Sequence, residues 1–321
     1  MTDSPTLMAW VHTLSHAADD ILRIELRPDG TTAFPAFEPG AHIDLHLPNG
    51  LVRSYSLAND SRETHRYVLG VLKDRSSRGG SRCVHEQLRV GTRLTISAPR
   101  NHFPLHASAK RSVLIAGGIG ITPILCMARA LQAQGRAVEV LYAARQRAGM
   151  AFADELQALD IPVTWHCDDE AGGPPDLRTW LAARPDTGDV HYYACGPAVM
   201  LDAFEGVCAE LGYAHAHIER FAAVAVAAAD DARQSYTVEL RRSGKTLSVT
   251  PDTTLYQALN HAKIAVPFSC EEGICGSCET RVIEGEPDHR DSVLTAAERA
   301  ANRVMMVCVS GCKSERLVLD L

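Results

Sequence analysis

No stretch of the 321-residue chain approaches the roughly 20 consecutive apolar residues of a membrane-spanning helix; the longest, FAAVAVAAA from Phe221 to Ala229, has nine. An excess of positive charge is missing too. With 32 Lys and Arg against 39 Asp and Glu, the formal net charge of -7 argues against a nucleic-acid surface and leaves acidic docking faces open. The N-terminal MTDSPTLMAWVHTL lacks the basic start of a secretory signal. A cytoplasmic protein with neither membrane nor nucleic acid among its partners is therefore expected. Ligand sets for oxygen chemistry are also lacking: the two His and two Cys of a Rieske centre do not occur as a set of C-x-H-type pairs, and there is no 2-His-1-carboxylate pattern. His42 and His46 would share one strand face, which reads more simply as packing or solvent exposure. What is present is ordinary globular material, 46% hydrophobic and 22% charged, enough for two or three domains.

Cysteine is plentiful. In a reducing compartment ten cysteines do not make a disulfide framework, and six of them (Cys83, Cys126, Cys167, Cys195, Cys208, Cys312) are scattered as small buried hydrophobes would be. The other four are grouped. Cys270, Cys275 and Cys278 are spaced C-x4-C-x2-C, and Cys308 follows after twenty-nine residues. That is the plant-type [2Fe-2S] spacing, with all four as metal ligands. Structural zinc usually pairs two short knuckles, whereas here the partner side is one Cys with no nearby His, so zinc is the alternative. Gly273 and Gly276 let the backbone wrap and aim N–H donors at sulfur. Cys312 stands four residues beyond Cys308, close enough to exchange with it as a ligand, although a buried thiol is the simpler reading.

Before the cysteines, SYTVELRRSGKTLSVT alternates like a β-hairpin with its turn at Ser243-Gly244, and TLYQALNHAKI has helical periodicity. With the cysteine loop, residues 235–321 resemble a plant-type ferredoxin of the β-grasp fold. From Cys270 to Glu298 eight acids face two bases, either a solvated loop or a docking patch for a basic redox partner.

From Ser112 to Phe221 five short apolar strands alternate with four helical patterns, which implies a parallel, doubly wound sheet binding its ligand at the carboxyl ends of the strands. The first turn, Gly117-Gly118-Ile-Gly120-Ile-Thr122-Pro123, combines glycines that admit a pyrophosphate with a helix N-terminus that favours negative charge. It lacks the third glycine of G-x-G-x-x-G. Cys195-Gly196-Pro197 ends the fourth strand with a tight turn into the helix that starts AVM. Together GGIGITP and CGPAVM resemble the nucleotide domain of the ferredoxin–NADP reductase superfamily. The resemblance implies that Gly118, Gly120, Thr122 and Pro123 line pyrophosphate and nicotinamide, and that Cys195, Gly196 and Pro197 flank the hydride-transfer site.

Upstream, ILRIELRP, AHIDLHLP, RYVLGVLK and TRLTISAP are separated by turn signals at intervals suited to an antiparallel β-barrel. It carries Arg53-Ser54-Tyr55-Ser56, with Arg53 and Tyr55 on one strand face and the serines on the other. In the same superfamily RxYS is the flavin signature, which implies Arg53 at the flavin phosphate, Tyr55 at the ring and Ser56 at its N5 edge. Ser76-Ser77-Arg78-Gly79-Gly80-Ser81, followed by RCVHEQL, has the makings of a phosphate cradle. SRGGS and the order flavin, nucleotide, ferredoxin resemble the phthalate dioxygenase reductase family, within it the reductases of vanillate O-demethylase-type oxygenases. That implies FMN, with FAD the alternative, and NADH as donor. Glu219 and Phe221 match the E-x-F closing the family's nucleotide domain, with Phe221 near the flavin. Arg145 and Arg147 stand where an acid often holds the NAD ribose, which keeps NADPH as the alternative; Asp168 and Asp169 are further ribose candidates.

The expected domains are a flavin barrel over 1–107, an NAD domain over 108–222, an Ala-rich linker over 223–234 and a ferredoxin over 235–321. The resemblance implies a monomer passing electrons from NADH through FMN and the [2Fe-2S] cluster to a separate terminal oxygenase of Rieske type, with Ser56, Thr122 and Cys195 at the hydride step. Two alternatives remain: a cytochrome P450 as acceptor, or a redox-sensing, zinc-binding interaction module.

Overall fold

The first hundred residues form antiparallel strands: β1 (Thr6–Ala18), β2 (Ile21–Pro28), β3 (Ala41–His46), β4 (Val52–Ser56), β5 (Tyr67–Leu72), β6 (Arg93–Ser97) and β7 (Arg100–Asn101), with helix α1 (Gly80–Gln87) after β5; β3 and β5 are buried along nearly their whole length. They run β4-β3-β6-β1-β2-β5, with β7 on β3. Past β4 the chain bonds back to β5, Ala58 N–H to the Val68 carbonyl at 2.9 Å, which draws the two ends of the sheet together. Ile24, Leu26, Ile43, Leu45, Leu69 and Ile96 fill the interior. The computed structural model describes residues 6–30, 33–75, 77–222 and 234–321; nearly all of the expected linker, and Ser76, lie outside them.

The next segment alternates strand and helix: β8 (Arg111–Gly117), α2 (Ile121–Ala133), β9 (Ala137–Ala144), α3 (Ala153–Gln157), β10 (Val163–Cys167), α4 (Asp168–Ala171), α5 (Leu177–Ala182), β11 (Val190–Cys195), α6 (Ala198–Leu211) and β12 (Ala216–Glu219). All pairings are parallel, in the order β10-β9-β8-β11-β12. Helix α2 is buried from Ile121 to Ala128 and again at Ala130 and Leu131, because most of its surface is covered. Ile124 and Leu131 pack with the parallel sheet, while Cys126 reaches the barrel interior. Ala18, Ile21 and Val68 of the barrel share a core with Leu114 and Tyr142, so barrel and parallel sheet form one compact unit, Met1–Phe221.

Ala222–Leu321 is a second unit. Its sheet has the order β14-β13-β19-β15-β17, from β13 (Tyr236–Leu240), β14 (Lys245–Val249), β15 (Glu279–Glu284), β17 (Val304–Met306) and β19 (Arg316–Leu319). The short β16 (Pro287–Asp288) and β18 (Gly311–Cys312) pair beside it, with α7 (Leu255–His261) and α8 (Ala296–Ala301). The expected hairpin forms, Leu240 opposite Lys245, and Gly244 takes φ +66° in its turn. Thr254 and Gln257 cap α7 reciprocally, an arrangement worth about 1 kcal/mol. The cysteine loop follows α7. Among the described residues, no helix is long and apolar enough to cross a membrane.

Candidate functional site

Strand order reverses between β8 and β11, so the loops leaving their carboxyl ends diverge and open a crevice there. Both glycine motifs lie at this crevice, backbone against backbone. A Cβ on Gly120 would sit 2.1 Å from the Cys195 carbonyl oxygen, and one on Gly117 would sit 2.7 Å from Pro197 Cδ. Gly118 needs its freedom for another reason, φ +53°, and its Cβ direction opens onto empty space. Thr122 is buried, its hydroxyl donating to the Ile119 carbonyl at 3.1 Å, and its methyl faces Gly70 of the barrel. Pro123 stands in the first turn of α2, where no intrahelical N–H is needed.

The barrel brings its own motif to the same place. Strand β4 pairs with β3 so that Ser54 lies opposite Asp44, and Ser54 Oγ donates to Asp44 Oδ1 at 2.6 Å. Asp44 in turn holds Arg100 at 2.7 Å. Ser54 thus braces the barrel wall. Ser56 points elsewhere: only 4% exposed, it donates to Glu219 Oε2 at 3.3 Å. Glu219 ends β12 directly opposite Cys195. Tyr55 packs on the barrel core, and burial raises its phenol well above the ordinary range.

RSYS and SRGGS also meet. Gly80 lies so close to Arg53 that a Cβ would stand 2.7 Å from its Cγ and Nε. Gly79, at φ +98°, starts α1, and its N–H donates to Ser77 Oγ at 3.2 Å, which also accepts from Ser81 Oγ at 3.0 Å. Arg53, the exposed Arg78 and the start of α1 therefore belong to one cationic, donor-rich rim suited to a phosphate. Phe221 follows β12 and is 37% exposed.

Electrostatics at the crevice are set by burial. Glu219 is half-buried as a residue, yet crowding round its carboxyl pushes the pKa up to about 8, only partly offset by the Ser56 hydroxyl. Burial also raises the Cys195 thiol, with the Glu219 charge adding to it, so Cys195 is a neutral, fully enclosed thiol that supplies shape rather than charge. Because Glu219 holds its proton to a higher pH when folded than its ordinary value of 4.5, its stabilising contribution is full below about pH 4.5 and is lost as pH rises towards about 8. Replacing it with Gln is expected to remove a fall in unfolding free energy on the order of 2–4 kcal/mol over that window, read from denaturant melts of the flavin-free protein at pH 5 and 8.5. Parallel pH profiles for wild type and Glu219→Gln would refute this.

Beyond β9, Arg147 is held by Glu170 at 2.9 Å, and Arg145 is exposed. Among the described residues, no ion pair engages the Arg145 guanidinium. Asp168 contacts His166 at 3.3 Å, and the Asp169 N–H donates to the Arg145 carbonyl.

In the second unit Cys270, Cys275 and Cys278 are buried and Cys308 half-buried. Cys270 and Cys275 shift one another's titration, as do Cys278 and Cys308, which marks each two as near neighbours. The sulfurs thus pair two by two. Four thiolates around one tetrahedral zinc, at about 2.3 Å each, would all stand about 3.8 Å apart. Among the described residues, the groups of three or more ligand atoms lying within 4.8 Å of one another are His106/His191/His217 and Cys167/Asp169/Glu170; the four cysteines form no such group. Two pairs suit a binuclear centre with two thiolates on each iron. Gly273, at φ +70°, has no room for a Cβ, which would meet Val309 Cγ2 at 2.6 Å, and the Glu272 N–H points at Cys270 Sγ from 3.3 Å. Cys312 is occupied elsewhere, its thiol donating to the Ser314 carbonyl at 3.1 Å.

One sequence impression changes in three dimensions. Much of the acidic run is matched by bases outside it: Glu284 pairs with Arg316 at 2.6 Å, Glu286 with Lys313 at 3.7 Å and Asp291 with Arg299 at 4.0 Å, which narrows any acidic face to the neighbourhood of the cysteine loop. The single C-x-H triplet, Cys83-Val84-His85, is structural: Cys83 is buried under the barrel and His85 contacts the Val71 carbonyl at 2.8 Å.

Comparison with known proteins meets this geometry. Residues 238–313 match the 2Fe-2S iron-sulfur cluster binding domain, and residues 92–218 match the N-terminal domain of dimethylamine monooxygenase subunit DmmA-like proteins. The vanillate O-demethylase oxidoreductase of Pseudomonas sp. (strain HR199 / DSM 7063) is 47% identical over 95% of this chain and 96% of its own. The solved structure of phthalate dioxygenase reductase, described as a modular structure for electron transfer from pyridine nucleotides to [2Fe-2S], is 38% identical, covers 98% of both chains and superposes with a TM-score of 0.72. The chain belongs to the phthalate dioxygenase reductase family. This reductase is also 40% identical, over 98% of its length and with a TM-score of 0.90, to part of an intact type IV self-sufficient cytochrome P450 monooxygenase, of which it spans 41%. As a family member it is an oxidoreductase of three modules: sheet-rich flavin domain, parallel-sheet nucleotide domain and ferredoxin.

Proposed function

We propose that this chain is the NADH-dependent reductase of a Rieske-type terminal oxygenase system acting on aromatic compounds, and that it works as a monomer. One observation carries the reading: Ser56 of the flavin motif meets Glu219 beside Cys195, so the flavin strand and the nicotinamide turns share one crevice. When bound, NADH supplies a hydride, FMN divides its electron pair and the [2Fe-2S] cluster relays single electrons. The protein holds and orients. Arg53, Arg78 and the Gly79-Gly80-Ser81 start of α1 take the flavin phosphate, while Ser54, bonded to Asp44, keeps the strand in register. Tyr55 would pack along the flavin ring and Ser56 would stand at its reacting edge. Gly118, Gly120, Thr122 and Pro123 would line the pyrophosphate and nicotinamide; Cys195, Gly196 and Pro197 would flank the hydride-transfer site, and Phe221 would stand near the flavin. Cys270, Cys275, Cys278 and Cys308 hold the cluster.

Anaerobic NADH added to the reconstituted protein is expected to bleach flavin and cluster absorption, and the reduced protein should then reduce a Rieske-type oxygenase. Failure of the cluster to bleach would refute the relay. A cytochrome P450 as acceptor is the second reading, favoured by the likeness to the self-sufficient P450, and reduction of a P450 but not a Rieske oxygenase would select it. The choice of NADH is supported by Glu170, which pairs with Arg147, one of the two arginines that could meet a 2′-phosphate. Glu170→Ala should accordingly raise kcat/KM for NADPH about tenfold, the worth of roughly one charge-assisted bond, while NADH values stay within about twofold. An unchanged NADPH value would place Arg147 away from the ribose.

A further inference from the structure

Four of the chain's 14 histidines gather at the other end of the parallel sheet. His191 lies near the start of β11 and His217 near the start of β12, adjacent parallel strands in which Tyr193 is paired with His217. His106 belongs to the connector that leads from the barrel into β8. Nδ1 of His191 and Nε2 of His217 are 3.0 Å apart, and one ligand nitrogen from each of His106, His191 and His217 lies within 4.8 Å of the others. His215 stacks on His191 with ring centroids 4.3 Å apart, and Tyr193 stacks on His217 at 4.7 Å.

We propose that His106, His191 and His217 form a zinc site that ties the barrel-to-sheet connector to β11 and β12. Ligand nitrogens around a tetrahedral ion at about 2.0–2.1 Å stand about 3.3 Å apart, and His191 and His217, joined here by a ring hydrogen bond at 3.0 Å, are close to that spacing. His106 stacks on His217 with ring centroids 4.6 Å apart; exposed and carried by a connector, it is the ligand that turns to complete the set, whereas its partners are fixed on strands. The connector is aimed by the His106 N–H, which donates to Tyr193 Oη at 2.9 Å, and by the His106 carbonyl, which accepts from Arg136 at 3.0 Å. Three imidazoles, with no thiolate or carboxylate in the set, select a borderline late-transition ion over magnesium or calcium. Zinc adds no redox step and leaves its fourth position to water. Cys195 lies four residues further along β11, roughly 13 Å away, so the ion is structural and does not touch the hydride site.

The test uses the complete, cofactor-loaded protein after chelator treatment, titrated calorimetrically with zinc chloride. One saturable equivalent is expected, together with a rise in the thermal midpoint. His106→Ala, a change at an exposed ring, should weaken binding at least about 30-fold and abolish the thermal shift; His217→Ala should do the same. X-ray absorption should find nitrogen or oxygen at about 2.0–2.1 Å and no sulfur near 2.3 Å. The absence of saturable zinc, undiminished binding in both variants, or sulfur in the metal's shell would each overturn the proposal.

Discussion

Cys308→Ser is expected to cut NADH-driven reduction of an external one-electron acceptor by at least about 100-fold, while NADH still reduces the flavin at close to the wild-type rate. The reason is local. Cys308 is the distant member of the four and the neighbour of Cys278, as Cys275 is of Cys270, so its loss leaves one side of a binuclear centre with a single sulfur. It is also half-buried and lies between elements, so the hydroxyl of serine disturbs the second unit's core little. Iron content and cluster absorption report the centre, and stopped-flow NADH oxidation reports the flavin. Cys312→Ser is the control, because that thiol is engaged with Ser314. If Cys312→Ser lost the cluster and Cys308→Ser kept it, the fourth ligand would be reassigned.

Gly120→Ala should impair both stability and hydride transfer. The added methyl would lie 2.1 Å from the Cys195 carbonyl oxygen, 2.4 Å from its carbon and 2.8 Å from Gly196 N, all backbone atoms of a turn between β11 and α6. None of them is the end of a flexible side chain. Either the turn moves or the helix start does, at a cost of about 3 kcal/mol and roughly 6–12 °C in Tm for a unit of this size. Because the same two turns shape the nicotinamide crevice, a displacement on the order of 1 Å should slow flavin reduction at saturating NADH about 100-fold. Gly118→Ala is the informative contrast: it meets no atom within 4 Å and suffers only from φ +53°, about 1–2 kcal/mol. Wild-type stability and flavin reduction in Gly120→Ala would refute the close approach of the two turns.

How much could be read in advance depended on whether partners are near in sequence. Three cluster ligands lie within nine residues, so their spacing is itself the chemistry, and the doubly wound sheet could be read from strands that are apolar throughout because helices cover both faces. Ser54 and Ser56 are the counterexample. They share a strand face and a motif, yet one braces Asp44 and the other reaches Glu219, a residue 163 positions away. The acidic run looked like a patch because its neutralising partners Arg316, Lys313 and Arg299 lie outside the counted segment. His106, His191 and His217 gave no sequence signal, being drawn from a connector and two strands with no common motif.

The order of the modules, the cysteine spacing and the glycine turns were determined by the sequence alone, since each depends on backbone conformation or ligand spacing within a few residues. The meeting of RSYS with Glu219 and Cys195, the packing of Gly80 on Arg53, the pairing of four thiols two by two and the gathering of three imidazoles were decided by tertiary structure. Such contacts join residues far apart in the chain, and only the burial of a shared core, which fixes strand order and register, brings their side chains within bonding distance.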